Sequence, residues 1–270
     1  MSENMGAAQA VTVAAPVPAK KAVIAVRPLK RGDIAEIVVA GWRDFKAAPL
    51  YGLFFGGIYA LGGMGVVALF VFLQMPYVAY PLTMGFALIV PFVAMGTYEV
   101  SRRLERGEPL SWAAVFGSVW ARSGRDLGWM ALVTVFVLII WVDFAIFLFL
   151  MFYGLHMPSV QELFVTILST QRGIVFALVG NAFGAVIAAF VFSITAVSMP
   201  MLADRDVDFV TAMITSVRCV LAAPAQMLAW AVFIGLGLGF SILSGFVALF
   251  VILPVLGHAS WHMYRKVVVE

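Results

Sequence analysis

The stretch from Cys219 to Tyr264, CVLAAPAQMLAWAVFIGLGLGFSILSGFVALFVILPVLGHASWHMY, runs for 46 residues without a Lys, Arg, Asp or Glu. As one helix, at about 1.5 Å per residue, it would reach roughly 70 Å, against roughly 30 Å for the hydrocarbon core of a bilayer. A charge-free segment of that length folds back as a hairpin of two membrane spans. The reversal is expected at Ser241-Ile242-Leu243-Ser244-Gly245, where two serines and a glycine interrupt the apolar run and offer polar groups to turning backbone near the interface.

The rest of the chain has the same character. Of its 270 residues 63% are hydrophobic and 11% charged, with a mean hydropathy of +1.04. A soluble core could not bury that much apolar surface. Four further stretches nearly free of charge are each long enough to cross: Leu50 to Leu73, Tyr80 to Val100, Leu127 to Tyr153 and Ile174 to Met199. The expected fold is all-α, a single polytopic domain of six transmembrane helices over residues 27–270, preceded by a disordered cytoplasmic tail over residues 1–26. In that tail two lysines follow a weakly apolar stretch, the reverse of a secretory signal, and anchoring is expected to rest on the helices without attached lipid.

Orientation follows from the bases. Between those spans, 16 of the 17 Lys and Arg fall on one side, and only Arg172 falls on the other. The positive-inside rule then places both termini of a multi-pass protein in the cytoplasm. The pI near 9.1 reflects that topology and does not point to nucleic acid, because the bases lie where anionic headgroups are. The single Cys219 has no internal partner and is expected to stay reduced.

Three stretches preceding hairpins look alike. Ile34, Ile37, Val38, Trp42 and Phe45 share one helical face, and Asp33 with Glu36 gives a capping-box pattern at its start. A helix lying in the interface is expected there, with Trp42 at headgroup depth and Arg43 beside it. The second stretch runs from Ser111 through Trp112, Val115, Phe116 and Val119 to Arg122, and the third from Asp208 through Phe209, Met213 and Val217 to Arg218. Arg43-Asp44-Phe45-Lys46-Ala47-Ala48-Pro49 aligns with Arg218-Cys219-Val220-Leu221-Ala222-Ala223-Pro224 as R-x-x-x-A-A-P. Pro91, Tyr98, Glu99 and Arg102 align without gaps with Pro254, Trp261, His262 and Arg265. These matches imply an internal repeat of interfacial helix plus hairpin, used three times, with prolines that kink the second and sixth spans.

The Arg27-Pro28-Leu29 lead, the Gly32-Asp33 helix start, the Gly41-Trp42-Arg43-Asp44-Phe45 helix and the six-span plan together resemble a bacterial family of uncharacterised integral membrane proteins, a domain of unknown function whose members are sometimes loosely labelled cytochrome-oxidase-like. The resemblance covers about residues 27–266. It implies an inner-membrane location and a helical fold, and no activity, substrate or site residue.

The polar residues inside the spans are the candidates for chemistry. Asp143 is the sharpest, because an ionisable side chain within a span costs several kcal/mol unless it is paired or wet. Three readings stay open: solvation near the far interface, a proton or ion relay, or pairing to a neighbouring helix, with Asn181 as a partner. His258 and His262 stand four apart and share a face, the spacing by which two imidazoles bind one metal. No third ligand is local, and two histidines on one helix cannot clasp a haem from opposite faces. With Trp261 and Tyr264 beside them, an aromatic and imidazole belt at the interface is the expected role. Glu99 occupies the repeat position equivalent to His262.

Asp204, Asp206 and Asp208 imitate a calcium loop, but Phe209 stands where glycine is needed and Thr215 where glutamate belongs, so an acidic helix start is expected. Gly52-x-x-x-Gly56, Gly180-x-x-x-Gly184 and Gly235-x-x-x-Gly239 let helices approach closely, either inside the protein or between copies. No standard catalytic motif is present, so no enzyme activity, cofactor or metal is expected. Two functions fit: a membrane protein acting by contact, as an accessory, assembly or membrane-organising factor, or a small transporter or channel with a path along Asp143, Asn181, Glu99 and His258. The expected partners are the lipid bilayer and another membrane protein complex, a homo-oligomer being open as well.

Overall fold

A computed structural model describes residues 24–69, 93–122, 124–155 and 160–269. Helices dominate: α1 (Asp33–Ala47), α2 (Pro49–Val67), α3 (93–106), α4 (Trp112–Arg122), α5 (Arg125–Tyr153), α6 (Val160–Ser169), α7 (Gln171–Thr195), α8 (Ser198–Asp204), α9 (Phe209–Ala222), α10 (Pro224–Leu243) and α11 (Leu249–Val267). Among the described residues there is no strand beyond one isolated antiparallel bridge, Val26 to Val268.

Four helical stretches are long and apolar enough to cross a membrane: Pro49–Val67, Asp126–Tyr153, Gln171–Asp204 and Pro224–Leu243. They correspond to the first, third, fourth and fifth expected spans. Residues 80–92 of the second expected span, Pro91 included, lie outside the described residues. The sixth expected span is the 19-residue α11, with Pro254 inside it. Its second half carries His258, His262, Arg265 and Lys266, so composition divides it into an apolar start and a polar end.

The hairpin turn falls where the sequence places it. α10 ends at Leu243, and Gly245 and Phe246 take left-handed backbone at φ 64 and φ 69. Ser244 Oγ donates to the Ser241 carbonyl and accepts from the Ala248 amide, so a serine satisfies backbone groups that the turn frees. The two A-A-P junctions also share a geometry. Ala48 (φ −137, ψ 56) and Ala223 (φ −147, ψ 62) each leave the helix for one residue whose backbone is neither helical nor extended. Pro49 and Pro224 then open the next helix, where a missing amide hydrogen costs nothing.

Glycines set the closest packing. α1 and α2 both lie against α11: a Cβ on Gly41 would come within 2.7 Å of the Ala259 nitrogen, and one on Gly56 within 2.8 Å of the Leu249 carbonyl oxygen. Gly52 is filled by the Phe45 ring, and Gly184 takes the Trp141 ring. Two of the three Gly-x-x-x-Gly pairs thus serve internal contacts, while Gly235 and Gly239 face open space.

Two local expectations change. The capping box at Asp33 does not form: Gly32, at φ 93, is the N-cap without a side-chain bond. Asp33 instead accepts from the Lys30 amide at 2.8 Å and from Lys266 Nζ at 2.7 Å, since a cation from the far end of the chain is a stronger donor than a neighbouring amide. Residues 24–26, which the sequence reading gives to the tail, are joined to the rest of the domain. Arg27 donates its amide to the Val267 carbonyl, Val269 donates to that of Ala25, and Arg218 donates to that of Ile24. Both ends of the domain therefore lie together. Residues 1–23 lie outside the described residues.

Candidate functional site

The buried core gathers around the polar half of α11, where Trp230, Trp261, Tyr264, Met263 and His258 are all 1% exposed or less. α11 is enclosed there by α1, α3, α8 and α10, which leaves its polar side chains protein neighbours in place of water. Each must find a partner or carry the cost of desolvation.

Asp44 is the centre of the first cluster. It lies in the last turn of α1, buried, and its Oδ2 accepts from His262 Nε2 at 2.7 Å and from Ser101 Oγ at 2.9 Å. Ser101 Oγ also lies 2.7 Å from His258 Nδ1. A hydroxyl has one proton, and Ser101 gives it to Asp44. His258 therefore donates from Nδ1 to Ser101, which leaves its Nε2 as the unprotonated nitrogen, without a hydrogen-bond partner among the described residues. Burial pushes the Asp44 carboxyl up, but the donors His262 and Ser101 outweigh it and hold the group below the usual carboxylate range.

A second cluster is ionic. Glu99 and Arg102 on α3 form a two-pronged pair at 2.7 and 2.8 Å, with both side chains under 10% exposed. Arg103 adds a bond to Glu99 at 2.7 Å, and Glu108 approaches Arg102. The Glu99 carboxylate, with Glu108, holds the Arg102 guanidinium well above its usual value. A third cluster ties α3 and α8 to α11. Glu105 accepts from Trp261 Nε1 at 2.9 Å and Arg265 at 3.0 Å, while Asp204 accepts from Tyr264 at 2.8 Å and Arg106 at 3.2 Å. At the edge Lys266 bridges Asp33 and Glu36 of α1.

The sequence-level candidates thus separate. His258, His262 and Glu99 sit in this lattice, but Glu99 binds arginine and His262 binds aspartate, so the equivalence suggested by the repeat does not bring them together. Trp261 departs from the interfacial role: it is 1% exposed, because α11 is packed on several sides. Trp42 and Arg43 do lie on the outer face of α1, exposed. Trp112 opens α4 and stacks on Tyr51 at 4.1 Å. Arg218 ties to Ile24, and the Arg122 side chain lies outside the described residues. Asp208 caps α9 by accepting from the Thr211 amide, the acidic helix start expected.

Asp143 and Asn181 lie elsewhere, both exposed on the α5–α7 pair. Asn181 gives its amide to Ala177 of its own helix at 2.8 Å, and among the described residues no hydrogen bond joins it to Asp143. The residues that sequence reading missed are Asp44 and Ser101, whose only signal was polarity at buried positions of apolar helices. Among the described residues no group of three or more His, Cys, Asp or Glu stands in metal-holding geometry. A cavity of about 370 Å³ opens beside Asp126, Asp204, Arg205 and Asp206, and one of about 200 Å³, apolar, lies among Phe55, Tyr59, Thr97, Leu238 and Pro254.

Long apolar helices with their charges drawn to one end define a helical integral membrane protein. Consistent with that class, residues 79–204, just under half of the chain, match the family model described as Predicted integral membrane protein (DUF2189). The match does not include residues 27–45, on which the resemblance rests in the sequence. No curated protein and no solved structure matches the chain.

Proposed function

We propose that the chain is a non-enzymatic, six-span protein of the inner membrane, both termini cytoplasmic, that acts by contact as an accessory, assembly or membrane-organising factor. One observation carries the reading. The ionisable side chains of α1, α3, α8 and α11 gather in a cross-braced lattice at one end, while few residues of α5 and α7 are buried. A lattice in which carboxylates face arginines, a lysine and imidazoles braces helices against one another and leaves the hairpin as the surface offered to the bilayer and its proteins. Asp44, Glu99, Asp126, Asp204 and Tyr264 recur at that end, which supports three out-and-back excursions of the chain.

A transport path is the second reading, and placement argues against it. Asp143 lies 17 residues beyond Asp126, about 26 Å along α5, and is exposed. Glu99 and His258 are buried in the lattice and separately bonded.

The test is mild-detergent affinity purification from native membranes at natural expression, with quantitative mass spectrometry. A stoichiometric membrane-complex partner is the expected result. Recovery of the protein alone, together with solute flux in vesicles that Asp143→Asn abolishes, would overturn the contact reading for the transport one.

A further inference from the structure

α5 presents one face that stays exposed among the described residues. Leu132, Phe136, Ile139, Asp143, Ile146 and Leu150 recur at alternating steps of four and three, so they form one stripe along the helix. All six are exposed. The other side of α5 is occupied, with Phe144 stacked on Phe183 of α7 at 3.5 Å and Phe149 set against Phe176.

Depth makes the carboxylate in that stripe costly. The charged end of α5 is fixed by Asp126, which accepts from the Phe209 amide, and Trp129 stacks on Phe209 one turn further. A hydrocarbon core of roughly 30 Å entered at Trp129 extends about 20 residues, to near residue 149. Asp143 then falls about 9 Å short of the far boundary, beyond what its short side chain spans. Among the described residues it has no hydrogen bond or ion pair. An unpaired carboxylate facing hydrocarbon costs several kcal/mol.

We propose that this face of α5 is the docking surface for a spanning helix of another membrane protein that carries Lys or Arg at the depth of Asp143. Charge complementarity selects the occupant. A lone cation in hydrocarbon is as costly as a lone carboxylate, and pairing them offsets both, while the apolar residues above and below Asp143 supply packing. A second copy of this chain would set carboxylate against carboxylate across a two-fold axis, a repulsive arrangement. The inference rests on the contact reading and names the surface and partner chemistry that it uses.

The probe is a labelled Leu-rich spanning peptide of about 20 residues with one Arg two-thirds of the way across, compared with its all-Leu parent. Each is mixed with the labelled full-length protein in phosphatidylcholine vesicles, and energy transfer is recorded. The Arg peptide is expected to associate, the parent is not, and Asp143→Asn is expected to weaken the Arg peptide by roughly tenfold. An unchanged thermal melt in detergent shows that the variant keeps its fold. Equal transfer from both peptides, no transfer, or transfer indifferent to Asp143→Asn overturns the proposal, as does transfer between protein copies that depends on Asp143. A partner that copurifies equally with wild type and Asp143→Asn would leave the contact reading intact and remove the α5 assignment alone.

Discussion

Asp44 Oδ2 lies 2.7 Å from Nε2 of His262, 218 positions later in the chain. The bond fastens the end of α1 to the polar half of α11, and Ser101 adds α3 to the same oxygen. Asp44→Ala removes the acceptor from two donors, half-buried His262 and buried Ser101, the second of which also holds His258, so a loss of about 3 kcal/mol is expected. Ser101→Ala, which removes one neutral link, is expected to cost about 1 kcal/mol. Thermal unfolding in a fixed detergent, followed by circular dichroism, measures both; equal effects would refute the central place given to Asp44.

Acid should act through the same carboxylates. Asp44 and Asp33 both titrate below the usual carboxylate range when folded. The stability they contribute is therefore present above their unfolded pKa of about 3.9 and is lost as pH falls through the lower folded values. A melting series from pH 6 down to about 2 should show Tm falling below about pH 4, and Asp44→Asn should flatten that limb. A limb unaffected by Asp44→Asn would assign the acid sensitivity elsewhere.

Removing Glu99 leaves Arg102 buried beside a weaker acceptor. Glu99→Gln is expected to destabilise by about 3 kcal/mol, because an uncompensated buried cation costs more than the pair contributes. Glu99→Gln combined with Arg102→Met should recover part of the loss, which a double-mutant cycle on unfolding midpoints reads directly.

Glycine substitutions should divide by what a Cβ meets. At Gly41 and Gly56 the nearest atoms are α11 backbone at 2.7 and 2.8 Å, and backbone cannot give way as a side chain can. Gly41→Ala and Gly56→Ala are each expected to cost about 1–3 kcal/mol. Gly235→Ala, with nothing within 4 Å, is expected to be neutral or slightly stabilising as a helix substitution. Folded yield in detergent ranks the three, and a loss at Gly235 equal to that at Gly56 would reveal a contact of α10 with another molecule.

The histidine tautomer is a spectroscopic prediction. With Ser101 donating to Asp44, His258 carries its proton on Nδ1 and His262 on Nε2. Of the three histidines, nitrogen-15 spectra of histidine-labelled protein should show the His258 ring protonated on Nδ1 and the His262 ring carrying a proton on Nε2, and Ser101→Ala should release the preference of His258 alone.

The helical membrane character and the reversal between α10 and α11 were legible in the sequence, because each depends on local composition: charge-free length and a serine-glycine break. The R-x-x-x-A-A-P strings mark two junctions of like backbone geometry, since proline fixes the first turn of the helix it opens. The lattice was not legible. His258 and His262 looked like one face of a helix with no third group near them, and Glu99 looked like their counterpart. Nothing in the spacing said that Asp44, Ser101 and His258 would meet from three elements.

The sequence by itself determined which segments suit hydrocarbon and where along the chain the bases cluster, because transfer free energy and charge are properties of residues taken in short runs. Tertiary structure alone decided that Trp261 is core and not interface, that His262 pairs with Asp44 and Glu99 with Arg102, and that Asp143 faces outward. Those outcomes depend on which helix faces meet, and a buried polar group takes whichever partner the packing brings within about 3 Å.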